Sequence, residues 1–526
     1  MYQEDTVYAR ESSSEISIVN DANVSGEKHQ SSLQTPFEPP IMITFDLHAD
    51  PFNQDTPLNQ RRGIYVQWRD NIQWLLDFLK PFGGKVTFLS VGEFMEFVLE
   101  DEANAIPIMR RLYENGGSLG THSHTEHYFG SHNWPSLGPN ATEVQSRENW
   151  DDSIRFVNAV VAEVIGTNDT TAIATVNNIR GGHLPNDRAT FYKFMVEYGF
   201  PIQEAGPAEP WYQYFGHHIW NPFRPSMESA WMENVSTPFV YVPSGPVIGK
   251  VGIHAGAFQD MSPPNMKKMF LMVYLNWRHH EDSSFPYRIW TFGWASHTHD
   301  ISPHSQTPKD VGEFVRWLND TFVSRRSASG NVIAKWAGRK EVYEAYLDWE
   351  NTHINQSSFN YPINVKDYNY YPYLKAVQQT LEEAYYINEI TTYNPQGVYA
   401  HRLVSIADGQ SIYVLWKDDG TTTVDLSSEF GGKVRVISCV SGNVNTAEPS
   451  AIEVGYEAII VKEPEPLLGD LDYDGDIDIF DVVIVAKAFG SRPDNSNWNQ
   501  AADLNKDDVV DISDVVLLAK NFGKTA

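Results

Sequence analysis

Cysteine is almost missing from this chain. Its 526 residues include one, Cys439, so no intrachain disulfide can form and thiol usage does not report the compartment. Basic residues are scarce as well. Lys and Arg total 39 against 68 Asp and Glu, a formal net charge of −29. That balance excludes a nucleic-acid or anionic-membrane partner, since both need a basic patch. No apolar run approaches the roughly 18 residues of a membrane-spanning helix, so none is expected. Residues 1–40 are polar and rich in Ser, Glu and Asn, without the apolar stretch of a signal peptide, and read as a disordered tail.

What is abundant is aromatic: 15 Trp, 26 Tyr and 27 Phe, enough for a large core and for faces that stack on sugar rings. The length suggests about three or four domains. From 41 to 330, apolar strands alternate with amphipathic helices: Ile41–Phe45, then helical spacing over Tyr65–Leu79, the β-rich Lys85–Val91, then a helix over Ala105–Tyr113. Such alternation predicts parallel strands with crossover helices, closed as a distorted (β/α) barrel. Residues 331–388 read as a helical extension, including Glu341–Trp349 and Tyr373–Ile387. Residues 389–463 are short β runs separated by Asp-Gly, Gly-Gly and Ser-Gly turns, a small all-β sandwich. A Pro-rich linker follows at 464–468.

Two polar clusters interrupt the apolar pattern of the first domain. One is Gly120-Thr-His122-Ser-His124-Thr-Glu126-His127, three histidines and a carboxylate within six residues after a predicted strand. The other is Asp46-Leu-His48-Ala-Asp50 at the end of Ile41–Phe45. Imidazole with carboxylate suits a borderline divalent ion such as Zn²⁺, and strand ends are where α/β enzymes place their chemistry. His183, His217, His218 and His254 are further cleft candidates, each more readily read as structural or exposed. The aromatic run Trp211–Trp220 could stack on sugar or pack in a core.

The last module repeats itself. Asp470, Asp472, Asp474 and Asp481 stand at positions 1, 3, 5 and 12 of one loop, and Asp503, Asn505, Asp507 and Asp514 at the same places of a second. Apolar runs VVIVAKAFG and VVLLAKNFG follow. Oxygen donors at that spacing wrap Ca²⁺, with position 7 (Asp476, Val509) giving its backbone carbonyl. This predicts a small helical, paired EF-hand-like calcium module over 469–526. The tandem loops resemble dockerin type I modules, which implies two Ca²⁺ sites and a cohesin-type partner. Position 6 is Gly475 in the first loop but Asp508 in the second, where Gly would permit the turn.

Residues 41–305 resemble the polysaccharide deacetylase family (NodB-homology, carbohydrate esterase family 4). Five segments in order carry the resemblance: Ile43-Thr-Phe-Asp46, Lys85-Val-Thr-Phe-Leu-Ser-Val-Gly92, Asn115 to Ser123, Ile179-Arg180-Gly-Gly182 and Trp294-Ala-Ser-His297-Thr-His299-Asp300. The resemblance implies a secreted, metal-dependent hydrolase that removes N- or O-acetyl groups from a glycan. Asp46 would be the base, Arg180 would hold Asp46 ionised, and His297 would be the acid. The chain departs from the family at the metal ligands: Leu47 and His48 follow Asp46, and Glu126 stands four residues after His122. The expected ligand set is His48, His122 and His127, with Asp50, Glu126 and His124 as alternates. Two other functions compete with this reading. One is hydrolysis of a small cyclic amide on the same fold, suggested by the Asp-x-His first motif. The other is a non-catalytic carbohydrate-binding or surface protein with a degenerate site.

Overall fold

The computed structural model describes residues 39–138, 140–182, 188–204, 220–227, 233–243, 247–248, 262–279, 288–304, 307–323, 325–328, 330–354, 374–382, 384–464, 467–472 and 475–524. Residues 1–38, His183, the run 211–219 with His217 and His218, His254, Glu465, Pro466 and Asp474 lie outside the described residues.

A nine-stranded parallel sheet with helices forms the first layer system. Its strands are β1 (Ile41–Ala49), β2 (Thr87–Ser90), β3 (Ser118–Ser123), β4 (Ile179–Gly182), β5 (Ile202–Gln203), β6 (Val240–Tyr241), β7 (Val247–Ile248), β8 (Thr291–His297) and β9 (Ala334–Trp336). They run in the order β6-β5-β4-β3-β2-β1-β8-β7, with β9 paired to β1. Every pairing in this sheet is parallel, the result the strand–helix alternation predicts.

Strand β1 is central and buried from end to end, as parallel strands covered on both faces are. Its residues sort by parity. Ile41, Ile43, Phe45 and Leu47 join the core under the helices. Met42 faces the other way, into the interior with Leu89, Ile179, Ile202 and Val240. Thr44, Asp46 and His48 share that inward parity. The strand runs four residues past the expected end at Phe45, so Asp46 lies mid-strand and Asp50, just past the end, takes the mouth.

The stretch expected as a helical extension packing on the first domain is divided between two layers. Ala334–Trp336 completes the large sheet beside Ile41–Ile43, and the helix Arg339–Thr352 follows it. Further on, the helix Lys375–Leu381 stops short, and residues 384–389, expected as helical to Ile387, form strand β10 (Ala384–Glu389). The β-branched and aromatic content of Ala-Tyr-Tyr-Ile favours the strand once a sheet edge is available.

The second sheet is antiparallel: β10, β11 (Val398–Ser405), β12 (Ser411–Lys417), β17 (Ile459–Lys462), β14 (Val434–Ser438) and β15 (Val444–Ala447), in that order. A two-stranded partner, β13 (Thr422–Val424) with β16 (Ile452–Val454), closes a core that includes Tyr413, Leu415, Phe430 and Val461. Polar ties fasten this sandwich to the barrel helix Pro263–Arg278. Arg278 donates to Asp418 at 2.6 Å, and the Ala458 N–H donates to His279 Nε2 at 3.0 Å.

Each C-terminal loop leads into a helix, Ile479–Ala488 and Ile512–Asn521, capped by Asp478 with Asp481 and by Asp511 with Asp514. Among the described residues, no helix is long and apolar enough to cross a membrane.

Candidate metal centre

Inward parity brings four strand ends to one mouth. His48 and His297 are register partners on β1 and β8, His122 is next to last on β3, and Glu204 follows β5 directly. Strand β4 contributes by omission. A Cβ on Gly181 would lie 2.7 Å from Glu204 Oε2 and 3.0 Å from His122 Nδ1, so only glycine leaves room for both.

Donor atoms converge there. His122 Nε2 and His124 Nε2 are 2.9 Å apart. Asp50 Oδ1 lies 3.7 Å from the first and 3.6 Å from the second, and Asp50 Oδ2 lies 3.5 Å from His297 Nε2. Asp50 Oδ1 is buried without a hydrogen-bond partner. Burial pushes the Asp50 carboxyl up, but the imidazoles of His124, His297 and His122 outweigh it and hold the group well below the usual range. Burial, with His48 and His124 close by, drives His122 well down, toward the neutral form that ligates metals. Three trios of donors, each within 4.8 Å, meet in this mouth: Asp50 with His122 and His124, His48 with His122 and Glu204, and Asp50 with His297 and His299. A convergent, partly buried nitrogen and oxygen set with an orphaned carboxylate oxygen fits a divalent ion.

The expected set is only partly assembled. His127 turns away, toward Asp152 at 3.3 Å and Glu148 at 3.5 Å. The cause is local: the Glu126 carboxylate accepts from the backbone N–H groups of His124 and Thr125, winding the loop so that His124 faces the mouth and His127 the helix Glu143–Ile165. Glu126 is thereby spent on backbone. His48 Nε2 is held by Glu204 Oε1 at 3.1 Å, and its ring stacks on His122 with centroids 4.7 Å apart.

Arg180 does not reach Asp46. Ile179 and Gly181 point inward, so Arg180 points to the helices, where its guanidinium lies 3.9 Å from the Trp150 ring centroid and donates to Ser123 Oγ. Burial lowers its pKa to about 9, against smaller opposing effects of Tyr198 and Glu126. The cation on Asp46 is Arg339, which sequence reasoning missed: Nε donates to Oδ1 at 2.7 Å and Nη2 to Oδ2 at 2.5 Å. Both groups are 0% exposed. Burial raises Asp46 to about 6 despite Arg339. The carboxylate therefore sits sealed beneath the mouth. His297 lies at the mouth as expected, its Nδ1 3.2 Å from Asp300 Oδ2. Glu204 was also missed; it lies beyond the last motif residue on β4, and no spacing rule marks it.

In the C-terminal module, Asp470, Asp472 and Asp481 form a donor trio. Asp481 accepts from the N–H groups of Leu471 and Asp478, and Asp514 repeats this with Leu504 and Asp511. Asp503 accepts from Asp507 and Asp508. Asp508 takes φ +63°, the left-handed conformation expected at that place.

Comparison with known proteins divides along the same lines. Residues 468–523 match the dockerin type I domain family. No curated protein matches the chain. A type II cohesin–dockerin structure from Bacteroides cellolosolvens is 43% identical over 12% of this chain and 92% of that one, with a TM-score of 0.10. A protein from Mycobacterium smegmatis assigned as a polysaccharide deacetylase is 13% identical over 62% of this chain and 96% of that one, TM-score 0.37. One from Pseudomonas aeruginosa PAO1 with the same assignment is 12% identical over 60% and 93%, TM-score 0.38. Likeness of fold does not carry an activity across.

Proposed function

We propose that the barrel is a metal-dependent deacetylase of acetylated glycans, secreted and tethered through its C-terminal module. The observation that carries this reading is Asp50, whose carboxylate faces His122 and His124 with one oxygen and His297 with the other. Asp50, His122 and His124 would hold the divalent ion, zinc being the best match to the donors. When bound, such an ion polarises an acetyl carbonyl and lowers the pKa of water.

The protein's own groups divide the proton work. His297, held by Asp300, would protonate the leaving amine or alkoxide. His48 is the better candidate for accepting a proton than Asp46. Burial opposes a charge on His48, but the carboxylates of Glu204, Asp50 and Asp46 together outweigh it and raise its pKa, whereas both Asp46 oxygens are taken by Arg339. Asp46 then acts from below, closing a buried charge network of Arg339, Glu204 and His48. The twin acidic loops would each bind Ca²⁺ and present the two helices to a cohesin-type partner.

Acetate release from acetylated chitin oligomers, xylan and peptidoglycan, with metal content determined on the same sample, tests the reading. Release in proportion to bound transition metal is expected. A full metal site with no acetate from any glycan would defeat it in favour of small cyclic amides; an empty site with no acetate would favour a non-catalytic protein.

A further inference from the structure

The helix Gly92–Glu100 begins directly after β2. In the sheet β2 lies between β1 and β3, so this helix starts between the loop that carries Asp50 and the loop that carries His124. Two of its carboxylates are turned inside: Glu93 is 1% exposed and Glu96 7%. Each holds one of the two loops.

Glu93 holds the Asp50 loop. Its Oε2 accepts from Gln54 Nε2 at 2.7 Å, and its Oε1 accepts from Arg61. Arg61 also donates to the Thr56 carbonyl at 3.0 Å. Glu96 holds the His124 loop. Its Oε2 accepts from Trp134 Nε1 at 2.8 Å and from the His132 N–H at 2.9 Å. Those two residues lie on the arm that pairs back to the metal loop: the Leu137 N–H donates to the Thr125 carbonyl at 2.8 Å, and the His127 N–H donates to the Pro135 carbonyl at 3.1 Å. His132 takes φ +50°, uncommon for a residue with a side chain. Glu96 on its N–H and Glu100 on its Nε2 hold it there.

The two loops meet at Gln54. Its Oε1 accepts from the Trp134 N–H and from Arg61 Nη1, both at 3.1 Å. A Cβ on Gly92 would run into the Trp134 ring, so glycine at the helix start admits this contact. Burial pushes Glu93 up to about 7 although Arg61 stands beside it. Apolar side chains would pack that helix face without such a penalty, so the arrangement is better explained by position than by stability.

We infer that Gln54, Glu93 and Glu96 are positioning residues that set Asp50 against His124, 3.6 Å apart at their facing atoms, and so hold the mouth in binding geometry before an ion arrives. The inference rests on the proposed reading of the mouth as a metal site. The three residues act through the backbone of the two loops, as outer-shell partners of metal ligands do.

Two variants of the full chain test it, in excess calcium. Gln54→Met keeps the volume of the joint and removes its hydrogen bonds. Trp134→Phe removes the side-chain tie to Glu96. Zinc affinity by chelator competition and the visible spectrum of the cobalt-loaded protein read the mouth directly. Each variant should bind zinc about 10- to 100-fold more weakly and change the cobalt bands. Metal-free Gln54→Met should melt within about 4 °C of the unsubstituted chain. Affinity and spectrum unchanged in both variants overturn the inference, as does a loss of affinity matched by unfolding of the metal-free protein. Acetate release is read separately. An unsubstituted chain that binds zinc at the mouth and releases no acetate defeats the proposed function and leaves the network standing; one that binds no zinc there defeats both.

Discussion

The barrel mouth and the C-terminal loops both crowd carboxylates around a space fit for a cation, yet they are built in opposite ways. Each C-terminal loop gathers its donors within twelve consecutive residues and spends Asp481 or Asp514 on neighbouring N–H groups. At the mouth, Asp50, His122, Glu204 and His297 come from four strands, and the ion pair below them spans 293 residues. The loops therefore depend on local spacing and can form as a unit. The mouth depends on strand parity and register, and fails if any one strand slips.

The widest separation between the two should come from metal. Asp50→Asn is expected to empty the barrel of transition metal and abolish acetate release, while calcium content stays unchanged; Asp481→Ala should do the reverse. Elemental analysis of both variants checks it, and a loss of both metals in either one would erase the distinction. Next in size is the buried pair. Arg339→Met leaves Asp46 unpaired and should cost about 3–5 kcal/mol in urea unfolding. Arg180→Met removes a cation that pairs with no carboxylate among the described residues and should stay within about 1 kcal/mol. Within the mouth, His48→Gln should lower kcat by about 10²–10⁴ with metal content intact. An equal loss in a stable, metal-loaded Asp46→Asn would move the proton acceptor to Asp46.

Acid should loosen the barrel and sandwich before it affects the loops. Burial, with Arg278 near one and Arg325 near the other, lowers His279 and His401 from the ordinary 6.5 to about 3. Between those values the unfolded chain binds protons that the folded chain refuses, so stability falls as pH drops from 6.5 toward 3, by up to about 1.4 kcal/mol per pH unit for each histidine. His279→Gln should flatten that slope in pH-dependent urea melts. The smallest effect concerns the two loops themselves. Asp508→Gly relieves a left-handed residue and should stabilise the second loop by about 1 kcal/mol or less, read as a higher melting temperature of the calcium-loaded module.

How far the sequence spoke follows from the same contrast. The loop repeat was legible, position by position, because its chemistry is local. Parallel strands with helices, the sandwich and the histidine mouth were legible from periodicity and clustering. The partners of the mouth were not. Arg339 opens a helix in a region that reads as peripheral, and only the pairing of Ala334–Trp336 with β1 brings it inside. Arg180 looked like the partner of Asp46 because its segment resembles a family motif, but Ile179 before it faces the interior, and the alternation along β4 turns Arg180 outward. His127 was preferred to Glu126 because imidazole is the commoner ligand, with His124 only an alternate; the turn made by Glu126 brings His124 to the mouth instead.

The pairing of Asp46 with Arg339 also sets a schedule. Asp46 leaves the ribosome 293 residues ahead of its partner, about 15 to 60 s earlier at 5–20 residues per second. Until then the first strand can assemble with β2 only by burying a bare carboxylate or by keeping it protonated. A fragment ending at residue 330, where the strand–helix alternation of the sequence stops, would carry every mouth residue and still lack the one side chain that makes its central strand fit to bury.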